Sequence, residues 1–164
     1  MTYHELFGFM SPDLAKQILE DSFTNDKPLY KVTLSAVADA KKLRPTFYEK
    51  KPRAERDADI ISMLSRPRLE EAGATLLRGW LMKTQKPMLI DFLNALGLKH
   101  KDGVVDDFPP SLEEETLKRA VDALLAKYPK EIVIVYLNAF GNMNESGWAN
   151  LNEMLEKDPR LQLA

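Results

Sequence analysis

The chain has 164 residues, 45% of them hydrophobic and 29% charged, with a net charge of −2 and no cysteine. This is the composition of an ordinary single folded domain. It excludes a disulfide framework, a cysteine nucleophile and a thiolate metal site, and the charge balance argues against a surface that is basic all over. No stretch approaches the roughly 18 apolar residues of a membrane span. The opening MTYHELFGFMSPD lacks the basic and apolar regions of a secretory signal, so the expected location is cytoplasmic and no membrane partner is expected.

The first recognisable helix begins at Ser11-Pro12-Asp13, where Ser11 can cap and Pro12 suits the first helical position. Leu14, Ile18 and Leu19 form its apolar stripe, while the residues before it, including His4, are expected to be loosely docked. Lys27-Pro28 opens a second helix with Tyr30, Thr33, Leu34 and Val37 on one face, and Arg44-Pro45 closes it. A third helix is predicted over 52–65, with Ile60, Ile61 and Leu64 apolar. A fourth runs from Pro67 to about Thr84 through Leu69, Leu76, Leu77, Trp80 and Leu81.

KPMLIDFLNALG, from Lys86 to Gly97, reads as a helix ended by a left-handed glycine, with Leu98 turned back on Leu93. The segment 98–111 is the longest loop. Ser111 and Glu114 make a capping-box pattern for a helix reaching Tyr128. Pro129 separates it from KEIVIVYLNAFG, Lys130 to Gly141. A turn at 142–147 and a closing helix over 147–157 finish the chain.

Two of these segments are near-copies. At an offset of 44, positions 81–97 and 125–141 share eight identities in seventeen, including Leu93/Leu137, Asn94/Asn138, Ala95/Ala139 and Gly97/Gly141. A fainter copy at 27–37 aligns Leu34 with Leu93 and Ala36 with Ala95. Each copy carries an i, i+3, i+4, i+7 stripe: Tyr30, Thr33, Leu34, Val37; Leu89, Phe92, Leu93, Leu96; Val133, Tyr136, Leu137, Phe140. The alanine is expected to allow close helix approach, and the glycine to end the helix. Ile132–Leu137 alone has the β-branched and aromatic character of a strand. Its partner copy has helical spacing, so both are read as helices, and the second is expected to be buried on most sides.

The fold expected is therefore all-α, with about eight helices and no sheet. Helix pairs lie near 11–43, 67–97 and 111–141, with an inserted helix at 52–65. Pairs that recur every 44 residues, carried by Leu81, Lys86, Leu93, Asn94, Ala95, Gly97 and their partners, resemble the HEAT and armadillo class of helical repeats. That resemblance implies one domain over 1–164, a short right-handed superhelix of stacked antiparallel pairs, and binding of another protein along its surface. A few glycosylases resemble the same class and hold DNA in a similar curve.

No triad, phosphate loop or metal-ligand spacing appears, and no catalytic residue or cofactor is assigned. His100, Asp102, Asp106 and Asp107 could hold a divalent cation, but they lack the alternation of a calcium loop and read as a solvated turn. Asn94 and Asn138 could line a ligand face, but suit helix-end carbonyls better. The richest candidate is basic: Lys41, Lys42, Arg44, Lys50, Lys51, Arg53 and Arg56, with Phe47 and Tyr48 among them. Cations interleaved with aromatics can hold phosphates and stack on bases, or be an exposed linker whose aromatics plug the core. The expected function is a non-enzymatic interaction module with a protein partner, the alternative being nucleic-acid or polyanion binding through 41–56.

Overall fold

In the computed structural model, which describes residues 1–144 and 146–163, the chain is all-α: ten α-helices and no strand occur among the described residues. The chain divides into two compact units, 1–80 and 81–164. The count exceeds the expected eight because two helices, α1 (Tyr3–Phe9) and α4 (Pro45–Glu49), are too short to show a helical period in the sequence.

The first unit opens with α1, which corrects the expectation of a loose start. Tyr3, Leu6 and Phe7 are buried. The Glu70 carboxylate accepts the backbone N–H groups of Tyr3 (2.6 Å) and His4 (2.9 Å), satisfying donors that a helix start leaves without partners. His4 Nδ1 lies 2.6 Å from the same carboxylate. Helix α2 (Pro12–Asn25) begins as predicted, with the Ser11 hydroxyl accepting the Leu14 N–H at 3.1 Å. It packs on α3 (Lys27–Ala40), whose stripe residues Tyr30, Thr33, Leu34 and Val37 are all buried.

Helix α5 (Arg53–Leu64) occupies the place of the predicted third helix and buries Ile60, Met63 and Leu64. Pro67–Leu69 is a separate 3-10 turn, and α6 (Glu70–Thr84) follows it and runs across the boundary between the units. Trp80 is buried, and its indole N–H donates to Asp21 at 2.9 Å.

In the second unit, α7 (Lys86–Ala95) ends as the sequence predicts. Gly97 has φ +73°, the Leu98 N–H reaches the Leu93 carbonyl and the Gly97 N–H that of Asn94, both at 3.0 Å. These two bonds define a Schellman ending. Helix α8 (Glu114–Lys127) starts later than its capping-box pattern suggests. Glu113 is the N-cap, and Ser111 stays in the loop. Helix α9 (Lys130–Met143) is helical throughout, and every residue from Ile132 to Phe140 is buried. Burial decides against the strand propensity of IVIVYL. The helical cost of a β-branched residue is at most about 0.7 kcal/mol, and burying its side chain contributes about 1.5–3 kcal/mol.

Gly141 does not end α9, which continues to Met143, so the expectation of a matching terminal glycine fails there. The position a Cβ would take at Gly141 lies 3.6 Å from Leu155 of α10 (Ala149–Lys157), an ordinary contact distance, so packing does not demand a glycine there. The predicted 142–147 turn includes Glu145, which is outside the described residues. The core of this unit is an aromatic cluster. Phe92 meets Tyr136 and Phe140 edge-on at 5.5 and 5.2 Å between centroids, and Phe108 from the loop meets Phe140 at 5.4 Å. Trp148 closes it and donates its indole N–H to the Pro109 carbonyl at 2.7 Å.

Candidate functional site

The basic segment runs from the end of α3, through α4, into the first turn of α5, all within the first unit. Its helices turn four of the seven cations toward the protein. Lys41 sits just past α3 and pairs with Asp59 of α5, and the Tyr48 hydroxyl donates to the same carboxylate. Burial opposes ionisation of Asp59, but the bonds from Lys41 and Tyr48 outweigh it and hold the carboxyl below its ordinary value. Tyr48 is fully buried, with the Lys41 and Lys51 ammonium groups 5.7 and 5.5 Å from its ring centroid.

Arg53 lies over the Phe23 ring at 3.7 Å, pairs with Glu20, and reaches Asp57 at 3.6 Å. Arg56 is the most buried cation, 8% exposed. Its Nε donates to the Tyr30 hydroxyl at 3.0 Å and its Nη1 to the Glu49 carbonyl at 2.9 Å. The Tyr30 hydroxyl in turn donates to Asp57 at 2.6 Å. Burial first, and this bond second, push the Tyr30 phenol up to about 12.

Three cations remain. Lys42, Arg44 and Lys50 are exposed, and none of them has an ion pair among the described residues. Between them stands Phe47, 57% exposed on α4, while its neighbour Tyr48 points into the core. The sequence grouped all seven cations because spacing along a chain does not reveal which way a five-residue helix faces. The acids that neutralise the inward set come from α2 and α5: Glu20, Asp57 and Asp59.

The loop candidate resolves into a turn. Asp102 and Gly103 have φ +56° and +90°, and Lys101 and Val104 exchange backbone bonds of 2.9 and 3.1 Å, a type I′ geometry that Asp-Gly favours. His100 Nδ1 accepts the Gly103 N–H at 3.1 Å, and its Nε2 donates to Asn94 Oδ1 at 2.8 Å. Asp102 pairs with Lys86. Among the described residues, no three His, Asp or Glu side chains converge as a metal site would require. Asn94 therefore serves the loop, whereas Asn138 is buried and donates to the Ile134 carbonyl at 2.9 Å.

A concavity of about 530 Å³ lies beside α8 and α10. Two of its three lining cations, Lys157 and Arg160, are already paired with Glu153, Asp158 and Asp122. No helix among the described residues is long and apolar enough to cross a membrane. The chain matches no protein-family model, no curated protein and no solved structure.

Proposed function

We propose that the chain is a non-enzymatic interaction module that docks an acidic segment of a partner protein on the 42–50 turn. The observation that supports this reading is the exposed Phe47 standing among the three unpaired cations Lys42, Arg44 and Lys50. An exposed aromatic suits an apolar anchor, and the surrounding cations steer an acidic partner without being buried themselves. In this reading the aligned segments 81–97 and 125–141 are two copies of one repeated element of a HEAT-like protein. Nucleic-acid binding, the second reading, would draw on a longer cation track, and Lys41, Arg53 and Arg56 are engaged inside the fold.

Fluorescence anisotropy of the full chain tests both readings, with an Asp/Glu-rich peptide carrying Leu and Phe as one probe and single-stranded DNA as the other. The peptide is expected to bind, and Phe47→Ala and Arg44→Glu each to weaken it. DNA held by three cations has a salt slope of about −2, against about −5 for seven. Tight DNA binding on the steep slope, with the peptide silent, would favour the second reading. If neither probe binds at low salt, the turn is not a docking site.

A further inference from the structure

The second unit contains an apolar cavity of about 200 Å³ between α7, α9 and the 98–113 loop. Leu89 and Leu93 line it from α7, Tyr136 and Phe140 from α9, and Val104 and Phe108 from the loop. No charged side chain is among its lining residues, and the Tyr136 hydroxyl is the one polar side-chain group.

That hydroxyl has no hydrogen-bond partner among the described residues, although Tyr136 is only 1% exposed. Among the described residues, the sealed polar side-chain atom without a partner is Asn144 Nδ2. The Tyr136 hydroxyl, equally unpartnered, therefore keeps accessible space beside it, and the space Tyr136 lines is this cavity. Burial pushes its phenol up, so it stands as a protonated donor at neutral pH. A phenylalanine would complete the edge-on contacts with Phe92 and Phe140 without leaving a hydroxyl unmatched.

Water is a poor occupant, because an ordered water needs two to four polar partners and the side chains here offer one. A cavity of about 150 Å³ lined by apolar side chains takes up benzene. This one is somewhat larger, opens to solvent beside Met82 and Val104, and adds a donor. The 101–104 turn forms part of its wall, and Val104 on that turn is half exposed, which gives the cavity a side built from loop and not from packed helix.

We infer that this cavity is a binding site for a small, neutral, mainly apolar molecule, of about six to ten heavy atoms, that presents one hydrogen-bond acceptor to Tyr136. The site is independent of the 42–50 turn and of any macromolecular partner. Charged ligands are disfavoured because nothing in the lining can pair with them.

Methyl NMR titrations of the full chain test this with three probes: acetophenone, ethylbenzene and benzoate. Acetophenone is expected to move the methyl signals of Leu89, Leu93 and Val104 saturably. It should bind about three- to ten-fold tighter than ethylbenzene, which lacks the acceptor, and benzoate should not bind. Tyr136→Phe should erase the preference for acetophenone and leave ethylbenzene binding unchanged. Val105→Trp, which fills the cavity from the loop side, should block both probes and keeps the inference testable if the tyrosine variant does not fold. No methyl shift with millimolar acetophenone, equal affinity for ethylbenzene, or binding of benzoate would each overturn the assignment.

Discussion

The segments 86–97 and 130–141 share more sequence than any other pair of helices in the chain, and the structure uses them differently. Helix α7 buries one face, through Met88, Leu89, Phe92 and Leu93, and leaves Asn94, Ala95 and Gly97 exposed. Helix α9 is buried over nine consecutive residues. Outside the apolar stripe, identical residues have diverging surroundings. Ala95 is at the surface and Ala139 is sealed; Asn94 bonds a loop histidine and Asn138 a helical carbonyl; Gly97 is left-handed and Gly141 is helical. The substituted pairs Leu89/Val133, Phe92/Tyr136 and Leu96/Phe140 keep the same burial. What the two helices have in common physically is the spacing of an apolar stripe, and residue identity outside that stripe does not transfer a role.

The largest way to break this comparison is to shorten the isoleucine that both segments place at the same position. Ile134 is 2% exposed and Ile90 is half-buried. Ile134→Ala should cost about 2–5 kcal/mol, as other truncations of sealed aliphatic residues do, and Ile90→Ala about 1 kcal/mol or less. Urea unfolding of the two variants measures the difference, and equal losses would mean that the helices are equivalent after all. The glycines give a smaller effect of opposite sign. Gly97→Ala puts a side chain at φ +73° and should destabilise by about 1 kcal/mol. Gly141→Ala lies in a helix with ordinary contact distance to Leu155, so it should be neutral or stabilise by up to about 1 kcal/mol. Losses of similar size at both would show that Gly141 does end its helix.

The legible part of this molecule was whatever repeats within a few turns of helix. All twelve stripe positions at 30–37, 89–96 and 133–140 are buried, because i, i+3, i+4, i+7 spacing leaves little choice of inward face. The Ser11 cap and the Gly97 ending were also legible, since each depends on chain neighbours alone. Helices of five or seven residues were not, because they complete too few turns to impose a period. Ser111 failed as a cap, since the N-cap falls two residues later, at Glu113. The basic segment was legible as composition but not as geometry. Which cation turns inward is set by Glu20, Asp57 and Asp59 on other helices, and no local pattern shows that. The cavity beside Tyr136 lies further still from the sequence, since it needs a loop, two helices and the absence of one hydrogen bond.

The smallest effect tests the polar side of the same contrast. Asp91 in the first segment aligns with Val135 in the second, and only the aspartate has partners to lose. Its carboxylate accepts from Lys127 at 2.7 Å and from the Tyr128 hydroxyl, linking α7 to the end of α8. The Lys127 bond first, and the Tyr128 bond second, lower its pKa below the ordinary 3.8. A carboxyl whose folded pKa is depressed stabilises the fold fully above its unfolded value, and that stabilisation is lost as pH falls through the folded pKa. Asp91 is more than a third exposed, so solvent screening keeps the contribution to a few tenths of a kcal/mol. The stability gap between the native chain and Asp91→Asn should therefore be flat near neutral pH and close below pH 3.8. It should also narrow in high salt. The carboxyl carbon of Asp91, followed by NMR, should titrate below the ordinary value. A midpoint at or above 3.8 would mean that the α7–α8 link is not held by this charge.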